Sequence, residues 1–379
     1  MNPLLGFQPS EDAPAVRTTL DAALAAFARE DLAEARRAAG AEWACAVAMD
    51  VHTGQILLME AVPDYDPNLP DFGAKSSAAS GRKEGIGWLL PAVMALEPGS
   101  TAKPFVVAAA LAEGVIRRDE HFENFGGTWR LPGRVIHNAS EVPNHAMTPR
   151  EVLVHSSNIG AAQIGMRLGA QKLRALWESL DVNRGIGIPI FDGNRGLFPS
   201  DADWNHPSAE RWCVASTSYG HAFSLTPVRL AAAWSALVNG GILRQPSLFL
   251  DDAPRPGQRV YPEAVAREVS GWLEGVIADR KDKVLPAWPD LRWGGKSGTA
   301  KKTHEDGYDL LFTAFGPLPN PEIVVIVVVD NPSNGKPRGS LMSGPSAGRI
   351  LRRALELRGS LRAVQDLDSR SPRAIVAAR

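Results

Sequence analysis

The sequence predicts an α+β fold in which one antiparallel sheet, built from both ends of the chain, is flanked by helices and a helical lobe. Three observations support this prediction. Two apolar strand patterns joined by a turn stand early, at 43–62, and three more stand late, at 293–329. The stretch between them carries apolar residues at helical spacing. Early and late strands around a helical middle are typical of a single α+β domain.

The composition is that of an ordinary globular chain with room for a large core. It has 379 residues, 44% of them hydrophobic and 22% charged, and a formal net charge of -1. This balance gives no indication of a basic surface, so no nucleic-acid partner is predicted. Cys45 and Cys213 stand alone in apolar sequence, which indicates buried free thiols. No histidine has ligand spacing with another histidine or cysteine, so we predict no metal and no cofactor.

No segment of the sequence is apolar enough for a membrane span. The longest strongly apolar run, Ile323 to Val329, has seven residues, whereas a spanning helix needs roughly 20. The N-terminus lacks the basic segment and the long apolar core of a secretion signal. As written, the chain is therefore expected to be soluble, with neither an anchor nor a signal.

The first half of the chain is expected to contain a helix and a β-hairpin before a long loop. We predict an extended lead-in over 1–16, one domain over 17–358 and a charged, partly disordered tail over 359–379. In order, the patterns predict a helix from Leu20 to Gly40 opened by a capping box at Thr18–Asp21, strands at 43–49 and 55–62, and a loop at 63–92.

The second half is expected to run from helices to strands. Residues 115–150 are interpreted as irregular because glycines and prolines interrupt them. The later patterns predict helices at 151–168, 170–180, 227–238 and 262–279, an irregular passage at 184–212, strands at 293–300, 310–315 and 322–329, and a last helix at 346–358.

The first candidate site is the stretch Glu97–Phe105. A turn at its start is followed by an apolar run that predicts a buried helix ending at Gly114. Ser100 then lies in the first helical turn and Lys103 shares its face, so a lysine whose pKa is lowered by burial could take the serine proton. A second copy of the pattern, Ser80–Lys83, lies in a Gly/Ser/Lys-rich stretch and is interpreted as a solvated loop. Taken alone, Ser100 is explained equally well as a helix-capping serine.

The second candidate site is Ser156-Ser157-Asn158, which opens a predicted helix. A plain N-cap explains this pattern on its own. In a catalytic site, Ser156 could relay a proton to a leaving amine, and Asn158 could orient both Lys103 and a substrate amide.

The third candidate site is Lys296-Ser297-Gly298-Thr299, which follows two glycines on a predicted strand. Outside a site, Lys296 would be an ordinary charge on an edge strand. In a site, its charge would attract a substrate carboxylate, and Ser297 and Thr299 would add hydroxyl donors. Gly298 would let a substrate backbone lie against the strand.

The patterns S-x-x-K, S-x-N and K-[ST]-G occur together and in this order, which is far more specific than any one of them. The sequence resembles the transpeptidase domain of penicillin-binding proteins, closest to the division-type class B D,D-transpeptidases, over about residues 16–358. The resemblance implies a β-lactamase/transpeptidase-like fold. Further stretches that carry it are 47–50, 53–57, 63–68, 96–99, 218–221, 225–227, 239–241 and 328–332.

The resemblance also implies a reaction. Ser100, with Lys103 as base, would attack a D-Ala-D-Ala stem peptide, and an amine of a neighbouring stem would take the acyl group and form a cross-link. Backbone N–H groups of Ser100 and Thr299 would form the oxyanion hole. The other implied roles are a proton relay for Ser156, orientation for Asn158, and carboxylate binding for Lys296, Ser297 and Thr299. The implied partners are peptidoglycan stem peptides, β-lactams that acylate Ser100, and membrane-anchored cell-wall synthesis proteins.

The sequence departs from the family in two respects. The usual GG-x-x-A-x-P pattern is replaced by Gly339–Pro345, so that edge of the site is expected to differ. Class B members are extracytoplasmic and membrane-anchored, but their anchor and pedestal do not occur here, nor does the glycosyltransferase module of class A. Three explanations for this difference stay open: the chain is a fragment, it is a domain recruited by a partner, or it is a family member with a different function.

Other functions that use the same motifs also stay open. A β-lactamase needs a deacylating base, but no Ω-loop glutamate motif lies between Asn158 and Lys296. A D,D-carboxypeptidase, a non-catalytic penicillin sensor and a soluble peptide cyclase are further alternatives. The loop at 63–92 and the passage at 184–212 are predicted to wall the acceptor groove, and neither suggests a cage that admits only water. This favours an amine acceptor.

Overall fold

The computed structural model describes residues 16–64, 90–188, 194–206, 210–252, 255–278, 284–302 and 306–360. The lead-in up to residue 15, most of the 63–92 loop with its Ser80–Lys83 pattern, and the tail beyond residue 360 lie outside these ranges. In the described ranges an antiparallel five-stranded sheet carries helices on both faces, which confirms the predicted α+β class. None of the helices in these ranges is long and apolar enough to cross a membrane.

Near the two ends of the chain, the order of helices and strands agrees with the sequence prediction. The strands are β1 Ala44–Asp50, β2 Ile56–Val62, β3 Thr128–Leu131, β4 Arg134–His137, β5 Ile242–Leu243, β6 Gln258–Arg259, β7 Gly294–Lys301, β8 Tyr308–Gly316 and β9 Ile323–Asp330. The α-helices are α1 Ala22–Ala39, α2 Leu90–Val93, α3 Lys103–Ala112, α4 Pro149–Val154, α5 Asn158–Leu168, α6 Ala170–Ser179, α7 Asp201–Asn205, α8 Glu210–Ser218, α9 Pro227–Val238, α10 Glu263–Trp272, α11 Glu274–Ala278, α12 Gly339–Met342 and α13 Gly344–Leu357. Short 3₁₀ turns, Gly99–Ala102 and Phe125–Gly127, precede α3 and β3.

The main sheet joins the two ends of the chain, as predicted. Its order is β2-β1-β9-β8-β7, so the early hairpin pairs with the last strand, with Ala44 opposite Val329. β9 lies at the centre and its residues are all buried. Because successive side chains point to opposite faces of a strand, Val324, Ile326 and Val328 enter one core and the residues between them enter another.

The two cores place the candidate site. On one face, α1 and α13 pack on the sheet through residues such as Leu24, Leu32, Ile350 and Leu351. On the other face lies a helical lobe that contains α3, α5 and α9. Strand β7 forms the edge of the sheet and contacts the 3₁₀ turn that leads into α3. The three sequence motifs therefore meet at the junction of this edge strand and the helical lobe.

The predicted capping box at Thr18–Asp21 is wrong. Asp21 itself is the N-cap of α1, because its carboxylate accepts the backbone N–H of Leu24 at 2.9 Å. Thr19 instead donates its backbone N–H to the Leu248 carbonyl at 2.8 Å, so tertiary pairing overrides the local capping pattern. The helix ends as predicted at Gly40, whose φ is 59°.

The passages predicted to be irregular contain more structure than expected. The β3–β4 hairpin and the start of α4 lie within 115–150, and α7 and the start of α8 lie within 184–212. Strands β3 and β4 are only four residues long and mostly solvent-accessible, so they lack a clear apolar alternation. The predicted helix at 151–168 is interrupted before α5, because Ser156 has a left-handed φ of 62°.

Candidate active site

The first motif lies where a 3₁₀ turn runs into a buried helix. Ser100 belongs to the turn Gly99–Ala102, called here the Ser100 turn, and Lys103 is the first residue of α3. The predicted arrangement is therefore found, except that the turn is 3₁₀ rather than α-helical. Ser100 is partly exposed, whereas Lys103 is fully buried. Pro104 fits at the helix start, where backbone N–H groups have no helical partner.

A neighbouring loop fixes the start of the Ser100 turn. The backbone N–H of Gly99 donates to the Gly220 carbonyl at 2.9 Å. A Cβ atom at Gly220 would lie 1.9 Å from the Gly99 oxygen, so only glycine fits there. The Glu97 carboxylate accepts the backbone N–H of Ala222 at 2.9 Å. These contacts limit the movement of the turn that presents the serine.

Lys103 is hydrogen-bonded to the second motif. Its Nζ donates to the Ser156 carbonyl at 2.6 Å, to Asn158 Oδ1 at 2.7 Å and to Ser156 Oγ at 3.2 Å. Burial lowers the pKa of Lys103 well below its usual value, and the nearby charge of Lys296 lowers that pKa further. Within the described ranges, none of its hydrogen bonds goes to Ser100. The arrangement holds a buried amine that readily loses its proton.

The Ser156 hydroxyl lies between two lysines. Lys296 Nζ donates to Ser156 Oγ at 2.9 Å, and Lys103 Nζ donates to the same oxygen at 3.2 Å. Ser156 adopts φ 62°, which turns both its carbonyl and its hydroxyl toward these lysines. The first and third motifs, almost 200 residues apart in the chain, are thus connected through the second.

The third motif lies on edge strand β7, and its side chains alternate between two environments. Lys296 is buried, whereas Ser297 and Thr299 are on the other face and are partly or largely exposed. Gly298 does allow a close backbone approach, but its neighbour is the Ser100 turn: a Cβ atom there would lie 2.7 Å from the Pro98 carbonyl oxygen. The strand therefore presses directly against the turn that carries the serine.

The segment that departs from the family pattern borders the same strand. Gly339 donates its backbone N–H to Thr299 Oγ1 at 3.3 Å, and a Cβ atom at Gly339 would lie 2.3 Å from the Gly298 carbonyl oxygen. Arg338, just before it, pairs with Glu141 in the loop after β4. The departure from the usual pattern therefore does lie at the edge of the site.

Asn138 is a site residue that the sequence did not single out. Its Oδ1 accepts the backbone N–H groups of Asn158 at 2.7 Å and Ile159 at 3.1 Å, at the start of α5. The local N-cap is Ser157, whose Oγ accepts the Gly160 N–H at 3.0 Å. No local pattern could have identified Asn138, because it caps a helix that begins 20 residues later.

Neither metal chemistry nor thiol chemistry is supported by the described residues. In the ranges given above, no group of three or more His, Cys, Asp or Glu residues could hold a metal ion. Cys45 and Cys213 are both free and buried. Burial raises the pKa of Cys213 to about 12, so that thiol stays protonated near neutral pH.

Comparisons with known proteins agree with the motifs. The penicillin binding protein transpeptidase domain family matches residues 44–356. Peptidoglycan D,D-transpeptidase FtsI of Escherichia coli K12 is 29% identical over 347 residues, which cover 90% of this chain and 56% of the relative. The probable peptidoglycan D,D-transpeptidase PbpC of Pseudomonas aeruginosa is 30% identical over 357 residues, which cover 92% of this chain and 59% of the relative. The chain thus spans a little over half the length of these curated relatives.

A solved structure shares the fold across nearly the whole chain. The apo transpeptidase domain of Burkholderia pseudomallei penicillin-binding protein 3 superimposes with a TM-score of 0.76 at 27% identity, covering 92% of this chain and 98% of that one. This likeness confirms the fold that the resemblance implies. On the family match, the relatives and the shared fold together, this chain belongs to the penicillin-binding protein transpeptidase domain family, alongside the division-type class B enzymes.

Proposed function

We propose that this domain is a serine-type peptidoglycan D,D-transpeptidase. It forms an acyl-enzyme on Ser100 from a stem peptide that ends in D-Ala-D-Ala, and it transfers the acyl group to an amine. The observation that carries the proposal is the state of Lys103, a fully buried lysine one turn from Ser100 whose pKa is lowered by burial and by Lys296. The similarity to peptidoglycan D,D-transpeptidase FtsI of Escherichia coli supports the choice of substrate.

In the first step, neutral Lys103 takes the Ser100 proton while Ser100 Oγ attacks the carbonyl carbon. A neutral amine has two N–H groups, and the two shortest contacts of Lys103, at 2.6 and 2.7 Å, use both of them. Its lone pair is then left for the serine proton. No hydrogen bond joins Lys103 to Ser100 within the described ranges, but such catalytic hydrogen bonds commonly tighten only when substrate binds.

In the second half of acylation, the bond to the terminal D-alanine breaks and its nitrogen needs a proton. Ser156 would deliver it; the contacts of its hydroxyl with Lys103 at 3.2 Å and with Lys296 at 2.9 Å support this role. The proton taken from Ser100 passes from Lys103 through Ser156 to the leaving amine. Asn158 holds Lys103 in place and would also orient the substrate amide.

The remaining groups would bind the terminal carboxylate of the donor and the oxygen of the carbonyl that Ser100 attacks. Ser297 and Thr299 would hold the terminal carboxylate of the donor, and Lys296, buried on the opposite face of β7, would contribute its positive charge. The backbone N–H groups of Ser100 and Thr299 would form the oxyanion hole, in which each donor contributes about 3–4 kcal/mol to transition-state stabilisation. The close packing of the two segments supports this role, since a Cβ atom at Gly99 would lie 3.5 Å from the Thr299 nitrogen.

Deacylation reverses these steps with an amine in place of D-alanine. The amine attacks the acyl-Ser100 carbonyl and loses its proton along the same path, and Ser100 is released. A β-lactam would acylate Ser100 in the same way, but its ring-opened amine stays attached. The proposed partners beyond stem peptides are the membrane-anchored proteins of cell-wall synthesis.

The test is to supply a synthetic D-Ala-D-Ala stem peptide, or the corresponding thioester, with a D-amino acid and to identify the products by mass spectrometry. We expect the exchange product, in amounts that rise with the D-amino acid concentration, and no product with the Ser100→Ala variant. Hydrolysis alone at every acceptor concentration would contradict the proposal and indicate a carboxypeptidase. Penicillin binding without any peptide turnover would indicate a sensor.

A further inference from the structure

We propose that Asn138 is a positioning residue for the acyl transfer described above. It holds Ser156 and Asn158 in the arrangement that aims their oxygens at Lys103. This inference rests on the proposed function and adds a residue to it from the β3–β4 hairpin, outside the three sequence motifs.

Asn138 caps the first turn of α5. Asn138 Oδ1 accepts the first two backbone N–H groups of that helix, those of Asn158 and Ile159. These groups have no partner within the helix, and the local cap, Ser157, serves only the Gly160 N–H. Asn138 therefore fixes the first turn of α5, and with it the position from which the Asn158 side chain starts.

A residue with a strained backbone precedes that turn. Ser156 has a left-handed φ of 62°, a conformation that a non-glycine residue keeps only when its surroundings enforce it. This conformation is what brings both the carbonyl and the hydroxyl of Ser156 within reach of Lys103. By holding the backbone two residues later, Asn138 restricts how Ser156 can relax.

The orientation of the Asn158 amide is fixed from the end of β4 as well. Its Nδ2 donates to the His137 carbonyl, the last of β4, at 2.9 Å. With the nitrogen held on that side, the oxygen faces Lys103 Nζ at 2.7 Å. Consecutive residues at the end of β4 thus fix both the backbone and the side chain of Asn158.

Asn138 is itself held in place by hydrogen bonds. Its Nδ2 donates to Asn124 Oδ1 at 2.5 Å and to Ser157 Oγ at 3.1 Å. Asn124 is buried and in turn donates to the Pro143 carbonyl at 3.2 Å. The Asn138 amide cannot rotate without breaking several of these hydrogen bonds, as expected of a group that orients another residue.

The experiment compares Asn138→Ala with Asn138→Asp and with a matched control, Asn239→Ala. Asn239 is also partly buried and joins three backbone groups, but it lies at the end of α9 away from the site. For each folded variant, the saturating acylation rate constant and the non-covalent dissociation constant are measured with fluorescent penicillin, alongside the melting temperature. The wild type is measured in parallel, because a wild type that is not acylated would contradict the proposed function itself.

We expect Asn138→Ala to lower the acylation rate constant by about tenfold to a hundredfold, the loss that a displacement of about 1 Å can cause, with the dissociation constant unchanged. Asn138→Asp should recover only part of the rate, because a carboxylate can accept the same two N–H groups but cannot donate to Asn124 Oδ1. Asn239→Ala should lower the melting temperature without lowering the acylation rate constant. If Asn138→Ala does not fold, Asn138→Ser replaces it with the same expected loss. If the wild type is acylated and an Asn138 variant is acylated equally fast, the inference about Asn138 is overturned, whereas the proposed function is not contradicted.

Discussion

Replacing Lys103 with arginine tests the proposed general base while keeping a positive charge in the same place. A guanidinium stays protonated at any pH near neutrality, so it has no lone pair for the Ser100 proton. Its planar fork also cannot reproduce the three contacts of the lysine nitrogen to Ser156 and Asn158, at 2.6, 3.2 and 2.7 Å. Both effects act on the acylation step rather than on the first binding of the substrate.

The magnitude follows from the lost proton transfer. A general base contributes about 100- to 10,000-fold, which corresponds to about 3–5 kcal/mol of activation free energy. We therefore expect Lys103→Arg to slow acylation by fluorescent penicillin by at least about a hundredfold. Lys172→Arg is the control, because Lys172 is exposed and pairs with Glu113 at 2.6 Å. Acylation of Lys103→Arg at the rate of this control would refute the assignment of the base.

Three further predictions concern the same step and the one after it. Because burial lowers the Lys103 pKa, acylation should rise with pH and level off well below the usual lysine range; a rise only near pH 10 would contradict this. The penicillin adduct should persist for many minutes by mass spectrometry, because no Ω-loop glutamate motif lies between Asn158 and Lys296 to supply a base that activates water; rapid return of free enzyme would favour a β-lactamase. Gly298→Ala should slow acylation and lower the melting temperature, because its Cβ would lie 2.7 Å from the Pro98 oxygen. Gly271→Ala, which has open space around it in helix α10, should leave acylation unchanged and should not lower the melting temperature; equal behaviour of the two variants would count against the packing described.

The ends of the chain were predictable because burial on the sheet imposes a strong pattern. Strand β9 is a run of β-branched residues, and helix α9 has the boundaries Pro227–Val238 that its proline and the glycines after it indicate. The β3–β4 hairpin was missed because its strands are short and mostly accessible, so burial leaves little trace in their sequence. The capping of α1 was misassigned because Thr18 and Thr19 pair with residues 247–249, a tertiary contact that no local pattern reveals.

In the candidate site, only the residues of the three motifs could be predicted from the sequence. The order of the three motifs led to Ser100, Lys103 and Lys296. In the structure, both lysines donate to the hydroxyl of Ser156. What the sequence could not supply is the support behind them. Asn138 acts on a helix 20 residues away, and Gly298 is required by its packing against the Ser100 turn. Both depend on tertiary geometry.

Covalent labelling of Ser100 tests the central claim most directly. Fluorescent penicillin should label the wild-type protein, and peptide mapping should place the adduct on Ser100. Ser100→Ala should abolish the label, whereas Ser80→Ala, in the second S-x-x-K pattern, should leave it unchanged. Labelling that survives in Ser100→Ala and disappears in Ser80→Ala would contradict the account.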